Sequence, residues 1–77
     1  MSELPTVTGK EAVAVFLRCG FVVARTSGSH RILKKEGCQY LLTVPVHGNS
    51  NLKPGTLRSL IRSAGLTIEQ FVQLVKE

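Results

Sequence analysis

Two histidines, His30 and His47, are the side chains with the clearest capacity for chemistry, since imidazole gains and loses a proton near neutral pH. If a hairpin turn at 36–38 closes with two or three loop residues, paired strand positions sum to about 73–75. His30 then lies opposite one of residues 43–45, and His47 follows at the same end of the sheet, roughly 7–13 Å away along the strands. Two imidazoles at one rim suit general acid–base work on a phosphodiester.

Several residues near these histidines could bind an anion. The Gly28-Ser29 turn can present backbone N–H groups, as can the start of a helix that follows Lys53. Arg58 and Arg62 are spaced i, i+4 on one helix face, off its apolar stripe. An ordinary solvated helix face is the alternative for both arginines, and for Arg62 it is the favoured interpretation.

The charges of the second predicted strand divide between its two faces. Because successive side chains of a strand point to opposite faces, Lys34 lies on the same face as His30, whereas Arg31 lies on the same face as Lys35. Only one of these two sets can face solvent opposite the helices, and the sequence leaves the choice open. Arg31 therefore remains a candidate contact to the substrate beside His30.

The net charge of +5 is concentrated in the middle of the 77-residue chain. Residues 18–62 contain eight Lys or Arg and one acid, Glu36, a net charge of +7, whereas each end is slightly acidic. A basic stretch favours a polyanionic partner such as nucleic acid, an anionic membrane or an acidic protein, and a positively biased solvated surface is the alternative. With one central carboxylate, a carboxylate–metal centre is disfavoured, and we expect no metal and no cofactor.

Size and composition exclude several classes of protein. A chain of 77 residues is too short for a two-domain enzyme, a TIM barrel or a dinucleotide-binding fold, and we expect one domain over 1–77. No apolar run reaches the ~18–20 residues of a membrane span, and residues 1–7 lack the pattern of a secretory signal. Cys19 and Cys38 suggest free thiols in a reducing cytoplasm rather than a zinc site, with a single Cys19–Cys38 disulfide as the alternative.

Periodicity and capping signals predict six elements. Capping boxes start at Thr8 and Thr67, and Pro54 suits a first helical turn. The predicted elements are helices over 9–19, 55–64 and from 68 onward, and strands over 21–26, 30–35 and 39–46. Three consecutive strands with short connections form an antiparallel meander, and three amphipathic helices cover one of its faces. The sequence therefore predicts a two-layer α+β domain of order α-β-β-β-α-α.

Aromatic residues give little support to base stacking. Three phenylalanines occupy apolar stripes or strands and are predicted to be core: Phe16, Phe21 and Phe71. Tyr40 alone could serve as a stacking platform. Recognition of single-stranded RNA by stacked bases is therefore disfavoured.

The chain resembles the HicA-type toxins over about residues 7–76. The most specific match is Gly28-Ser29-His30 followed by Val44-Pro45-Val46-His47-Gly48. Further matching segments are Thr8-Gly9-Lys10-Glu11, Gly20-Phe21, residues 55–61, Ala64-Gly65-Leu66 and Glu69-Gln70-Phe71.

The resemblance implies a fold like that of the double-stranded-RNA-binding domain and an mRNA interferase activity that does not need the ribosome. It implies a type II toxin–antitoxin pair in which a HicB-type antitoxin covers the active site. The catalytic histidine of the family corresponds to His30, flanked by Gly28 and Ser29. His47 corresponds to a recurrent second histidine whose role the resemblance leaves open.

Together these observations predict a metal-independent endoribonuclease with His30 as catalytic acid or base. Gly28, Ser29, Arg31, His47, Lys53 and Arg58 are the predicted substrate-binding residues. Two alternatives remain: a non-catalytic RNA-binding module, and a basic domain that binds an acidic protein. The sequence does not give the oligomeric state of the free protein.

Overall fold

A computed structural model describes residues 3–77 of the chain. The elements in chain order are α1 (Gly9–Arg18), β1 (Val22–Ser27), β2 (His30–Lys34), β3 (Leu42–Pro45), α2 (Pro54–Ser63) and α3 (Ile68–Lys76). The predicted order α-β-β-β-α-α is confirmed.

Local side-chain hydrogen bonds fix where α1 and α3 begin. The Thr8 hydroxyl accepts from the Glu11 N–H, and the Glu11 carboxylate accepts from the Thr8 N–H. Thr67 and Gln70 form the same reciprocal pair at α3. These hydrogen bonds confirm both predicted capping boxes. They stabilise the helix ends, because the first helical turn otherwise leaves these N–H groups without a partner.

The three strands form one antiparallel sheet in the order β1-β2-β3. His30 pairs with Pro45 and Leu33 with Leu42, so paired positions of β2 and β3 sum to 75, at the upper end of the predicted range of about 73–75. β1 pairs with β2 through an irregularity between Val23 and Arg25, which places one extra residue in β1.

The third strand is shorter than predicted, beginning at Leu42 rather than at residue 39. The Cys38 N–H donates to the Lys35 carbonyl, and the Cys38 thiol contacts the carbonyl oxygens of Tyr40 and Ser63. Residues 35–41 therefore form a longer connection that reaches the end of α2. The turn predicted at 36–38 closes between Lys35 and Cys38, but it does not join the two strands directly as the tight hairpin that was predicted. Apolar composition alone could not show this tie to α2.

The core lies between one face of the sheet and the three helices. Leu33, Leu42 and Val44 are fully buried on that face. The three phenylalanines are buried as predicted, and the ring of Phe16 contacts both others, with centroids 6.0 Å from Phe21 and 5.5 Å from Phe71. Alternation puts eight strand residues on the opposite side, called here the outer face: Val22, Arg25, Ser27, His30, Ile32, Lys34, Thr43 and Pro45.

Two cations of the basic segment serve the fold. The Arg18 guanidinium donates to the Leu74 carbonyl at 2.8 Å and to the Glu77 carbonyl at 3.4 Å, which joins α1 to the end of α3. The Lys35 ammonium lies 5.7 Å from the centre of the Phe21 ring. Within residues 3–77, no helix has the length and apolar character needed to cross a membrane.

Candidate active site

His30 is the first residue of β2 and is exposed on the outer face. Its neighbours across the sheet are Ser27 of β1 and Pro45 of β3. Because it directly follows the Gly28-Ser29 turn, His30 stands at the rim of the sheet, where a substrate can reach its imidazole.

His47 lies at the same rim, two residues beyond the end of β3, and is also exposed. The centres of the His30 and His47 rings are 6.1 Å apart, and the ring planes meet at 81°. The structure thus brings the two imidazoles together at one end of the sheet.

Backbone hydrogen bonds hold the segment that carries His47. The Val46 N–H donates to the Ser29 carbonyl at 2.6 Å, which extends the pairing of β3 past its end. The Ser50 N–H donates to the His47 carbonyl at 3.0 Å and closes a turn. These bonds join the two segments that carry the two histidines.

The loop after His47 is also attached to the chain before α1. The Leu52 N–H donates to the Val7 carbonyl at 2.8 Å, and Asn51 forms an antiparallel bridge with Thr8. Leu52 is buried in the core. Backbone hydrogen bonds therefore join the segment directly before α1 to the loop that follows His47.

Gly9 lets α1 approach the end of β3 closely. A Cβ at Gly9 would overlap the carbonyl oxygen of Pro45, the residue that pairs with His30. Glycine is thus required here for close packing of helix and strand.

A surface cavity of about 420 Å³ opens beside His47. It is lined by Pro45, His47, Ser50, Asn51, Leu52, Lys53 and Thr56. Besides the imidazole, this lining offers the Lys53 ammonium, two hydroxyls and one amide. Lys53 is the N-cap of α2, and its exposed side chain makes no capping hydrogen bond. The predicted proximity of Lys53 to His47 is therefore observed, and the cavity offers cationic and polar groups to an anion.

Arg31 lies on the other side of the sheet from His30. It is half-buried on the helix-facing side and lines a separate cavity with Lys10, Val46, Gly48 and Asn49. The sequence left this choice of face open, and the structure does not place Arg31 beside the imidazole of His30.

Lys10 is a cation near the rim that the sequence argument missed. It belongs to the slightly acidic first segment, and only the packing of α1 against the end of β3 brings it close to the 47–53 loop. No local pattern in the sequence indicated this position of Lys10, because it depends on how α1 packs against β3.

The remaining residues predicted to bind the substrate, Gly28, Ser29 and Arg58, lie in different parts of the fold. Gly28 has φ +58°, a left-handed conformation that glycine adopts without strain, and it is exposed in the turn before His30. Ser29 is half-buried, and its carbonyl accepts from Val46. Arg58 is exposed on α2 and is absent from the lining of the His47 cavity.

The two cysteines are free and half-buried, away from the histidines. Burial raises the pKa of the Cys19 thiol, and the nearby Lys35 ammonium lowers that pKa by a smaller amount. A raised pKa leaves less of the nucleophilic thiolate at neutral pH, so Cys19 is suited to packing rather than to nucleophilic chemistry.

Comparison with known families identifies a match over most of the chain. The family described as the HicA toxin of bacterial toxin–antitoxin matches residues 9–66, which include both histidines, Lys53 and Arg58. No curated protein matches the chain.

Proposed function

The chain belongs to the HicA toxin family, the toxin side of bacterial toxin–antitoxin pairs, and on that premise we propose that it is a metal-independent endoribonuclease that cleaves mRNA. The observation that carries this proposal is the pair of exposed imidazoles, with ring centres 6.1 Å apart at one rim. An mRNA substrate would place the reaction in the cytoplasm.

The proposed reaction is internal attack of an RNA 2′-hydroxyl on the adjacent phosphorus. His30 acts on it as a general base in its neutral form or as a general acid in its protonated form. Lys53 and polar groups of the neighbouring cavity would stabilise the negative charge that develops on the phosphoryl oxygens. Since this route needs a 2′-hydroxyl, DNA of the same sequence should not be cleaved.

The placement of acidic residues supports a route without a metal ion. Metal-assisted phosphoryl transfer is generally built on several carboxylate ligands. Glu36, the one acid within residues 18–62, follows the end of β2 opposite to His30. The reaction is therefore assigned to imidazole chemistry.

The test replaces His30 by alanine. His30→Ala should lower RNA cleavage in EDTA by at least about 100-fold, the usual contribution of general acid–base catalysis, and should abolish growth arrest on induction. The circular dichroism spectrum should not change, because the imidazole is exposed. Lys34→Ala is the matched control, since Lys34 is exposed on the same strand and face.

Each possible result has a definite meaning. Cleavage by His30→Ala at the wild-type rate would overturn the assignment of His30. Salt-sensitive RNA binding by the wild type with no cleavage would instead indicate a non-catalytic RNA-binding module. Failure to bind RNA at low salt, with tight binding to an acidic protein, would indicate a protein-interaction domain.

The partner of this toxin is proposed to be a HicB-type antitoxin that covers His30. Family membership implies an antitoxin partner in general. The outer face is consistent with a partner that covers it. It carries His30 at one end and exposed Val22 at the other, and exposed Leu41 lines a cavity with Val22. Bound antitoxin should therefore block RNA cleavage.

A further inference from the structure

We propose that His47 is a second catalytic residue, which transfers a proton to or from the RNA while His30 makes the opposite transfer. This inference rests on the proposed endoribonuclease function and deepens it. It assigns a catalytic role to His47, which was predicted to bind the substrate and whose role the resemblance left open.

The separation of the rings fits two groups that act on one phosphate. Cleavage by a 2′-hydroxyl removes a proton from one oxygen and supplies a proton to another oxygen on the opposite side of the phosphorus. A catalytic group must lie about 2.6–3.2 Å from the oxygen it serves. Ring centres 6.1 Å apart, with planes at 81°, leave room for both imidazoles to reach different oxygens of one phosphate.

The fold holds this separation on both sides. The hydrogen bond from Val46 to Ser29 joins the residues directly before His47 and His30. The Ser50 N–H bond to the His47 carbonyl and the Leu52 N–H bond to Val7 hold the loop that follows. Proximity of the histidines is thus built into the backbone.

A purely structural role does not account for His47. Its side chain is exposed, whereas Leu52 of the same loop is buried in the core. An exposed imidazole adds little to core stability. The group it faces across the rim is the imidazole of His30, which suits chemistry better than packing.

The proposed step balances without a further reactant. One imidazole, neutral, accepts the 2′-hydroxyl proton as the O2′–P bond forms. The other, protonated, donates a proton to O5′ as the P–O5′ bond breaks. The products are a 2′,3′-cyclic phosphate and a 5′-hydroxyl end, and exchange of protons with water restores both imidazoles.

The Lys and Arg side chains that line the two cavities on either side of the 47–53 loop are the cations near the pair. Lys53 lines the cavity of His47, while Lys10 and Arg31 line the cavity on the other side of the loop. They suit the phosphoryl oxygens of a bound RNA. Neither transfer of protons is assigned to them, because imidazole is the group suited to both accepting and donating a proton near neutral pH.

The first test measures kcat and KM on an RNA oligonucleotide for the wild type, His30→Ala and His47→Gln. Glutamine retains hydrogen bonding but does not exchange protons at neutral pH, so His47→Gln should lower kcat about 100-fold or more with KM changed less than about threefold. The wild-type profile of kcat against pH should be bell-shaped, and each variant should lose one limb. A rise in KM with unchanged kcat would make His47 a binding residue and overturn the proposal.

A second substrate separates the acid from the base. When sulfur replaces O5′, the thiolate leaves without protonation, so the variant that lacks the general acid should recover its rate while the other stays slow. Recovery by either His47→Gln or His30→Ala supports the pair and assigns the roles. Recovery by neither would contradict it.

The outcomes distinguish this inference from the function beneath it. If the wild type cleaves no RNA, the proposed function fails. If the wild type cleaves, His30→Ala does not, and His47→Gln cleaves at the wild-type rate with an unchanged pH profile, only the role of His47 is wrong. An unchanged midpoint of thermal unfolding in both variants would show that the loss of activity comes from the missing side chain and not from unfolding.

Discussion

At the scale of single residues, the site depends on a few positions with little chemistry of their own. Gly9 has no side chain, yet it sets how closely α1 approaches the carbonyl of Pro45. Pro45 pairs with His30, and His47 follows two residues later. The geometry of the two histidines therefore depends on a glycine far from them in sequence.

Replacing Gly9 by alanine tests this dependence. The added methyl group overlaps backbone, which cannot rotate away, so Gly9→Ala should destabilise the protein by about 1–3 kcal/mol. Cleavage of RNA should fall as well, because α1 and the end of β3 must separate. Urea denaturation and a cleavage assay measure the two effects.

Gly55→Ala is the matched control for this change. Gly55 lies in α2, and a Cβ there meets no atom within 4 Å. Alanine is the better helix former, so stability should stay equal or rise by up to about 1 kcal/mol. Equal stability of Gly9→Ala and the wild type would contradict the assigned role of Gly9.

At the scale of elements, the outer face of the sheet combines the candidate chemistry with exposed apolar surface. Leu41 is 62% exposed and lines cavities with Val22 and Lys34 on one side and with Thr43 on the other. The pairing of Leu42 with Leu33 puts Leu41 beside Lys34, about 13 Å from His30 along β2. A protein that covers His30 from this side can also bury Leu41.

Leu41→Asp should therefore weaken the proposed complex with a HicB-type antitoxin. A charged group buried against an apolar contact costs several kcal/mol, so we expect at least about a tenfold rise in Kd, measured by calorimetry with the purified antitoxin. RNA cleavage by the free toxin should change little.

Leu17→Asp is the control, because Leu17 is 43% exposed but lies on α1. Equal loss of affinity in the two variants would argue against the outer face as the antitoxin surface. Unchanged affinity in both would argue against it as well.

At the scale of the whole molecule, the basic segment divides into cations that hold the fold and cations near the site. Arg18 binds carbonyls at the end of α3, and Lys35 lies over Phe21. Lys53 instead lines the cavity of His47, and Lys10 joins the rim from outside the basic segment. The charge available to a polyanion at this rim is therefore set by folding as well as by composition.

The salt dependence of RNA binding should reveal this division. Lys53→Ala should reduce the slope of log K against log salt by about 1, because one phosphate contact is lost. Arg18→Ala removes the same charge but should leave that slope unchanged and lower stability. Equal slopes for the two variants, measured by fluorescence titration with catalytically inactive His30→Ala as background, would contradict the division.

The sequence alone determined the order of the elements and the range of registers in which β2 and β3 pair. Capping boxes at Thr8 and Thr67, helical periodicity and the 36–38 turn are local signals, and each acts within a few residues. They also predicted that His30 and His47 share one end of the sheet, because strand register follows from the turn.

Tertiary structure alone decided which charges face the histidines. Strand alternation offered two faces for Arg31 and His30, and packing of Leu33 and Val44 against the helices put Arg31 on the inner one. The closeness of Lys10, the fold-holding role of Arg18 and the short β3 likewise depend on contacts between segments distant in sequence. Such contacts leave no local pattern, because their energy arises only when separate elements meet.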